Sequence, residues 1–380
     1  MKLNIQELKD IMTKISLAVE KTKINPKSGW IELETKNNNL NFKVGSYDYY
    51  LEVSIDTQKE TNEEIHVTIL AETFIPLIAK LDTEYAEFMV RENTLVVETE
   101  INTYTFPILK DGDECKCVDK IKFEQTRYEE IKINGEDLST VASVNAKGLV
   151  DVVFKKDIQQ FVYVDNQGAL TFTENMYVNN FKNIVVGEFK FLLNITQAKL
   201  LEIFKNEKTV EIKIEQKPTF EDESTNTNKI QLQTKGIILI LITQNEDVVN
   251  KFPAIKLRAL AENKEQTHII IDKKKLDKAL ARLMVFDKKF DITVMDYSKL
   301  VFKENELELV SIKNKNNERI PYINSQNAIH HESIIRFADL VKQLKTITSN
   351  ELNISYGSRP AIVLNGNVQQ IIPEIIMRKE

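Results

Sequence analysis

Cysteine, glycine and proline are all scarce in this sequence. The chain has 380 residues but only two cysteines, Cys115 and Cys117, with one residue between them. Two cysteines exclude a disulfide framework, and cysteines this close in sequence rarely bridge each other. Ten glycines and eight prolines are too few for long linkers or a disordered chain. We therefore expect a folded protein whose two thiols are reduced and lie in a surface connection.

Long apolar runs are also missing. The longest, residues 236–242, is far too short to span a bilayer and is typical of a buried strand. Charged side chains within the first ten residues, among them Lys2 and Glu7, argue against a signal peptide. We expect a cytoplasmic protein with no membrane partner.

The motifs of common catalytic sites do not occur in the sequence. It contains no glycine-rich phosphate loop, no Gly-x-Ser-x-Gly elbow and no His-Glu-x-x-His helix. The four histidines have no spacing that suggests a metal site. We expect a protein with no enzymatic activity, no cofactor and no metal.

What the sequence does contain is an internal repeat. Six times, an alternation typical of a strand passes into a stretch with apolar residues three and four apart, which is typical of an amphipathic helix. In the fifth copy Ile269 and Ile271 lie two apart, and Leu276, Leu280 and Leu283 then fall on one helical face. The copies start at intervals of roughly 60–80 residues and span 2–15, 65–81, 130–144, 188–204, 267–284 and 331–347.

Further strand-like runs follow each copy, separated by turn-forming residues. Their alternation of apolar and polar residues is typical of antiparallel sheets with one apolar face. The sequence therefore predicts an α+β fold of three similar domains, each made of two βαβββ-like repeats. Polar stretches near 110–120 and 245–250 indicate the boundaries, giving domains 1–122, 123–248 and 249–380.

Several local phrases, taken in order, resemble the bacterial DNA polymerase III beta subunit, the sliding clamp. They are the opening strand and helix, Ser-Tyr-Asp-Tyr-Tyr-Leu-Glu-Val at 46–53, Tyr-Thr-Phe-Pro-Ile-Leu at 104–109, Gly-Ala-Leu-Thr-Phe-Thr at 168–173, Asn-Lys-Phe-Pro at 250–253 and the closing strand at 370–378. The resemblance covers the whole chain and is that of a divergent member of the family.

This resemblance implies a DNA clamp fold, in which a head-to-tail homodimer closes into a ring with sheets outside and helices lining a central hole. Twelve helices, each about 10 Å wide, would give the ring a centre line about 38 Å across, wide enough for duplex DNA and a water layer. The implied function is to encircle double-stranded DNA regardless of sequence and to tether the replicative polymerase. Polymerase and clamp loader would dock through linear peptide motifs.

Basic residues on the helical segments agree with such a ring. An acidic total of −6 does not exclude them, because lysines can cluster on one face. The alternative is that they form the ordinary solvated face of amphipathic helices in a repeat-built interaction or structural module that does not bind DNA. The candidate DNA-facing residues are Lys9, Lys14, Lys80, Lys147, Lys199, Lys205, Lys274, Lys278, Arg282, Arg336, Lys342 and Lys345.

The resemblance also implies an apolar groove between the second and third domains that takes the partner peptide. Asn175-Met176-Tyr177 stands where the family often has Gly-His-Arg, and Ile376 where it has Pro, so this groove favours a different peptide. The groove residues carried over by position are Thr173, Asn175, Met176, Tyr177, Val178, Pro253, Leu257, Ile375, Ile376, Met377 and Arg378.

Ring closure would pair a sheet edge of the first domain with one of the third. By position, Tyr104 and Phe106 would face Val285 and Phe286 of the partner subunit. Apolar side chains on a sheet edge need such a cover, because an uncovered edge promotes aggregation.

Overall fold

The chain forms two compact units. The computed structural model describes residues 1–20, 25–36, 38–57, 64–150, 157–173, 176–180, 189–216, 228–262, 267–287, 297–313, 315–358 and 360–375. The first unit comprises Met1–Ser139, Val185–Glu188 and Lys199–Glu246, and the second comprises Thr140–Ile184, Phe189–Ala198 and Asp247–Glu380.

The first third of the chain contains two copies of one strand, one helix and three strands. They are β1 (Lys2–Asn4), α1 (Ile5–Ala18), β2 (Trp30–Lys36), β3 (Asn39–Gly45) and β4 (Tyr49–Asp56), then β5 (His66–Leu70), α2 (Ala71–Lys80), β6 (Tyr85–Arg91), β7 (Thr94–Glu98) and β8 (Thr103–Pro107). A 3₁₀ turn, Pro26–Gly29, precedes β2, and the short strands β9 (Lys110–Asp111) and β10 (Glu114–Cys115) follow β8.

The middle third repeats the pattern with irregular helices. Its elements are β11 (Arg127–Ile133), α3 (Gly135–Thr140), a π-helical stretch (Val141–Ala146), α4 (Lys147–Val150), a 3₁₀ turn (Asp157–Gln160), β12 (Val162–Asp165), β13 (Gly168–Thr173) and β14 (Met176–Asn180). The fourth copy contains β15 (Lys190–Leu193), α5 (Ile195–Leu200), a 3₁₀ turn (Leu201–Phe204), β16 (Val210–Glu215), β17 (Asn228–Thr234) and β18 (Ile237–Thr243).

The last third completes the series after two short helices, α6 (Glu246–Asn250) and α7 (Ala254–Ala261). The fifth copy has β19 (Thr267–Asp272), α8 (Lys273–Asp287), β20 (Tyr297–Phe302), β21 (Glu306–Ser311) and β22 (Asn317–Pro321), followed by β23 (Asn324–Gln326). The sixth has β24 (His331–Arg336), α9 (Phe337–Leu344), β25 (Glu351–Tyr356), β26 (Ala361–Asn365) and β27 (Gln369–Pro373). The predicted βαβββ repeat is thus confirmed in all six places.

Every strand pair between the described strands is antiparallel, as the alternation predicted. The first unit holds a four-stranded sheet, β1-β6-β7-β8, an eight-stranded sheet, β11-β16-β17-β18-β4-β3-β2-β5, and the pair β9-β10. The second unit holds a nine-stranded sheet, β15-β12-β13-β14-β27-β26-β25-β19-β23, and a four-stranded sheet, β22-β21-β20-β24. The two large sheets each join strands from both sides of a predicted domain boundary, through β18–β4 and β14–β27. The boundaries themselves stay a prediction.

Helix α1 shows how the sequence sets these elements. The Asn4 side chain caps it by accepting hydrogen bonds from the backbone N–H groups of Gln6 and Glu7, at 2.9 and 3.1 Å. Leu8 and Ile15 are fully buried, so the apolar stripe faces the sheet as the spacing predicted. Helix α2 continues through Pro76, which is its sixth residue and is exposed.

Gly135 sits where α3 meets the end of the fourth repeat's helical segment. Its N–H donates to the Glu207 carbonyl at 3.0 Å. A Cβ at this position would lie 1.9 Å from the carbonyl oxygen of Phe204 and 2.5 Å from that of Glu207. Only glycine fits so close to two backbone oxygens, and this allows the two helical segments to approach.

Within the described part of the chain, no helix combines the length and the apolar character needed to cross a membrane.

Candidate functional site

The basic residues predicted to face DNA are concentrated on helices that pack in pairs. In the first unit α1 packs against α2 and against the turn Leu201–Phe204. Lys80, Lys199 and Lys205 are exposed there, while Lys9 and Lys14 are half-buried. These side chains therefore reach solvent from helical surfaces whose opposite faces are buried in the unit.

The second unit repeats this arrangement with α8 packed against α9. Lys274 and Lys278 lie four residues apart, on one face of α8, and both are exposed. Lys345, just after α9, and Lys147, at the start of α4, are also exposed, whereas Arg336 and Lys342 are half-buried.

Among the described residues, at least three of the predicted cations lie close to a carboxylate of the same chain. Arg282 donates two hydrogen bonds to Glu318 of β22, at 2.6 and 2.7 Å, and these hydrogen bonds lower the pKa of the Glu318 carboxyl. Lys14 lies 3.2 Å from Glu207, and Lys205 lies 3.6 Å from Glu202. A cation that already has a carboxylate partner attracts a phosphate less, so the unpaired exposed lysines are the stronger candidates.

Lysines on the strands differ from those on the helices, because many strand lysines face carboxylates on neighbouring strands. Lys43 lies 2.7 Å from Glu32 and 2.6 Å from Glu34. Lys229–Glu215 and Lys299–Glu332 are similar pairs, and Lys303, the residue after β20, lies 2.8 Å from Glu308. Positive charge is therefore neutralised locally on the sheets.

The strands of the predicted peptide groove lie side by side. In the nine-stranded sheet β14 lies between β13 and β27, with Tyr177 opposite Phe172 on one side and Ile371 on the other. Thr173 pairs with Met176. Asn175, Ile376, Met377 and Arg378 lie outside the described residues, as do the side chains of Met176, Tyr177 and Val178.

Helix α7 packs against β27 and extends this surface. Leu257 is buried in an apolar cluster built around Phe252. The Phe252 ring stacks on Tyr163 with centroids 4.7 Å apart and meets Phe172 edge-on at 5.3 Å. Pro253 is the residue before α7 and is half-buried, so the predicted junction residues do border a packed apolar core.

Sequence reasoning missed two residues of this surface. Ile255 is 86% exposed and Leu260 is 39% exposed, although both lie on α7. The sequence did carry a signal for this exposure. Ala254, Leu257 and Ala261 are spaced to share one face of the helix, which is the buried face, and Ile255 and Leu260 lie outside it.

A buried ion pair holds α7 to the sheet. Arg258 donates two hydrogen bonds, both 2.7 Å long, to the carboxylate of Asp165 at the end of β12. Both side chains are largely buried. Burial, together with the negative charge of Asp165, raises the pKa of the neighbouring Tyr163 to about 12, so its hydroxyl stays neutral. This pair fixes where the exposed face of α7 lies relative to β27.

The predicted dimer residues fall into two groups. Val285 and Phe286, near the end of α8, are 63% and 54% exposed. Tyr104 is half-buried on β8, the last strand of its four-stranded sheet. Phe106 is buried and meets Phe74 of α2 edge-on at 5.2 Å, so it supports the sheet from inside.

Comparison with known proteins gives matches by structure alone. No protein-family model matches the chain, and a search of curated proteins finds no match either. Among solved structures, the chain is similar to the DNA polymerase III beta subunit of Thermotoga maritima, with 16% identity and a TM-score of 0.76, and to the DNA polymerase beta subunit of Streptococcus pyogenes, with 13% identity and a TM-score of 0.79. It is also similar to a sliding clamp of Pseudomonas aeruginosa bound to griselimycin, with 12% identity and a TM-score of 0.77. Each comparison covers 99% of both chains. From its first repeat to its last, the chain therefore has the fold of the bacterial DNA polymerase III beta sliding clamps.

Proposed function

We propose that this protein is a DNA sliding clamp, a non-catalytic subunit that works in the cytoplasm. Two copies encircle duplex DNA as a head-to-tail ring and tether a replicative DNA polymerase for processive synthesis. The observation that carries this proposal is the full-length fold match to sliding clamps, at TM-scores of 0.75–0.79.

The distribution of charge supports a DNA-facing role for the helices. The net charge is −6, yet Lys80, Lys199, Lys274, Lys278 and Lys345 are exposed on or beside helices. Lysines on exposed helix faces attract phosphates without contacting the base edges. A clamp that slides along DNA needs such sequence-independent contacts. The proposal rests mainly on these five, because Lys14, Lys205 and Arg282 already have carboxylate partners.

The edge strands support a ring of two copies. Strands β8 and β22 end the order of their four-stranded sheets, so each presents a row of backbone groups without a ladder partner among the described strands. Exposed Val285 and Phe286 lie on α8, which packs against β22. Pairing β8 of one copy with β22 of the next would cover both edges, and a two-fold arrangement would close the ring with two such contacts.

The surface formed by β13, β14, β27 and α7 is the proposed docking site for polymerase and clamp loader. An extended peptide with apolar anchors would contact the exposed side chain of Ile255 and the apolar cluster around Leu257 and Phe252. The residues at 173, 175–178 and 375–378 predicted from the sequence remain part of this proposal.

The topological prediction is that loaded protein stays on a nicked circular plasmid and leaves when the plasmid is linearised. A ring slides off a free end, whereas a protein held by surface contacts does not depend on the ends. Gel filtration of the protein–DNA complex before and after restriction cleavage measures this directly, with analytical ultracentrifugation of the free protein as the control for a dimer. Equal retention on circular and linear DNA would refute encirclement.

The docking prediction uses two isoleucines of equal exposure. Ile255→Glu on α7 is expected to abolish the stimulation of the cognate polymerase. An apolar anchor that docks there would bury the new carboxylate without a partner, and burying an unpaired charge costs free energy. Ile101→Glu is the matched control, since Ile101 is 84% exposed in a turn of the first unit. Primer-extension length measures the effect, and both variants should remain dimers. Met176→Ala with Tyr177→Ala should behave like Ile255→Glu. Full stimulation by both α7 and β14 variants would place the docking site elsewhere.

A further inference from the structure

Glu32, His66 and Cys117 bring three different metal-ligating atoms together in the first unit. The His66 Nε2 atom lies 3.5 Å from Glu32 Oε1 and 4.0 Å from Cys117 Sγ, and the three ligand atoms all lie within 4.8 Å of one another. The three residues come from β2, β5 and the segment after β10, so the fold rather than a sequence motif assembles the group.

The separations are close to those that a zinc ion imposes. With bonds of about 2.0–2.1 Å to nitrogen or oxygen and about 2.3 Å to sulfur, tetrahedral geometry places neighbouring ligand atoms roughly 3.4–3.6 Å apart. The Glu32–His66 distance of 3.5 Å lies inside this range, and the His66–Cys117 distance of 4.0 Å exceeds it by about 0.4 Å. The Glu32–Cys117 distance is no more than 4.8 Å. Small side-chain rotations would close the remaining gap, and the backbone would not need to move.

The backbone on either side of Cys117 is anchored to the same strands. The Thr68 hydroxyl donates to the Lys116 carbonyl, and the Val118 N–H donates to Glu32 Oε2 at 2.8 Å. On the strands, Glu32 pairs with Thr68 and Glu34 pairs with His66, so Glu32 and His66 are diagonal neighbours on one face of the sheet. The thiol is thus held over this face before any ligand arrives.

The charged neighbours of this group are Lys43 and Glu34. Lys43 donates to Glu32 Oε1 at 2.7 Å and to Glu34 Oε2 at 2.6 Å, so two carboxylates share one ammonium group. Lys43 can therefore remain on Glu34 while Glu32 Oε1 turns to a metal. The His66 side chain is 51% exposed, which leaves a fourth position open to water.

We propose that Glu32, His66 and Cys117 form a zinc site with three protein ligands and a water molecule in the fourth position. Imidazole, thiolate and carboxylate are the ligands that Zn²⁺ takes in proteins, and a mixed set with sulfur disfavours Mg²⁺ and Ca²⁺. Bound zinc cross-links the segment after β10 to strands β2 and β5. The site is independent of the proposed function in replication, and it departs from the sequence-based expectation of no metal.

Cobalt titration of the untagged, reduced protein tests the site. One equivalent of Co²⁺ should give a thiolate-to-cobalt charge-transfer band together with the visible bands of tetrahedral cobalt, and Zn²⁺ should displace it. Because the chain has only two cysteines, the charge-transfer band can arise only from Cys115 or Cys117. Mg²⁺ at the same concentration should displace nothing.

Variants at exposed ligands identify the residues without disturbing the core. Cys117→Ser should remove the charge-transfer band, and His66→Gln should weaken cobalt binding at least about tenfold, since outer-shell changes alone cost roughly 10- to 100-fold. Cys115→Ser is the matched control and should keep the band, because the Cys115 thiol contacts only the carbonyl oxygen of His66, at 3.5 Å, within this group. Absence of the band in the native protein, its persistence in Cys117→Ser or its loss in Cys115→Ser would each overturn the proposal.

Discussion

Replacing Lys274, Lys278 and Lys345 by glutamate is expected to reduce the affinity of the protein for short duplex DNA by at least about a hundredfold at 50 mM salt. Each phosphate contact contributes about 0.9 to the slope of log K against log salt, so losing three contacts lowers the magnitude of that slope by about 2.7 for each chain that contacts the duplex. All three lysines are exposed on or beside the packed helices α8 and α9. Fluorescence anisotropy over a salt series measures both the affinity and the slope.

A second triple variant separates a local basic surface from overall charge. Lys36, Lys120 and Lys235 are also exposed but lie at strand ends and in connections rather than on helices. Three Lys→Glu changes of −2 each take the net charge from −6 to −12 in either variant. The control should lose less than about threefold in affinity, because distant surface charges are screened at this salt. An equal loss in both variants would mean that the helix lysines are only a solvated face, which is the alternative that the sequence left open.

Gly135→Ala is expected to destabilise the first unit by about 3 kcal/mol or more, the upper end of the cost of overpacking. The added Cβ would lie 1.9 Å from the Phe204 carbonyl oxygen, and both neighbouring atoms are backbone, which cannot rotate away. The helix start must then shift and lose the hydrogen bond from Gly135 N–H to Glu207. Urea unfolding followed by circular dichroism measures the change.

Gly29→Ala is the control for the general effect of replacing a glycine. Nothing lies within 4 Å of a Cβ built at Gly29, so this substitution should change stability by less than about 0.5 kcal/mol. If Gly135→Ala unfolded at the same urea concentration as Gly29→Ala, the close approach of the third and fourth helical segments would be wrong.

Much of the fold could be predicted because its signals are local. Alternation and three-to-four spacing depend only on which side chains share a face, and both are readable within a single element. This is why all six strand–helix openings were found and why the antiparallel sheets were expected. The third helical segment was found as well, but nothing in the pattern predicted its π-helical stretch Val141–Ala146, in which buried residues lie on several sides.

The site was predicted less completely than the fold. Periodicity identifies a helix face with lysines, but it does not tell which of them have carboxylates nearby, as Arg282 has in Glu318. Likewise, the sequence predicted that Phe106 lies at the partner-facing sheet edge. Its side chain instead packs on Phe74 of α2, because that helix covers this face of β8. The exposure of Ile255 depends on how Arg258 and Asp165 orient α7.

The sequence by itself determined the repeating unit, the alternation of buried and exposed faces and the concentration of lysines on helical segments, since each follows from residues a few positions apart. Only the tertiary structure decided which strands of different repeats join, as β18 does with β4 and β14 with β27. It alone brought Glu32, His66 and Cys117 together from positions more than 30 residues apart in sequence. The physical reason is that a side-chain pattern specifies the face a residue occupies, whereas its neighbours across that face depend on how the whole chain packs.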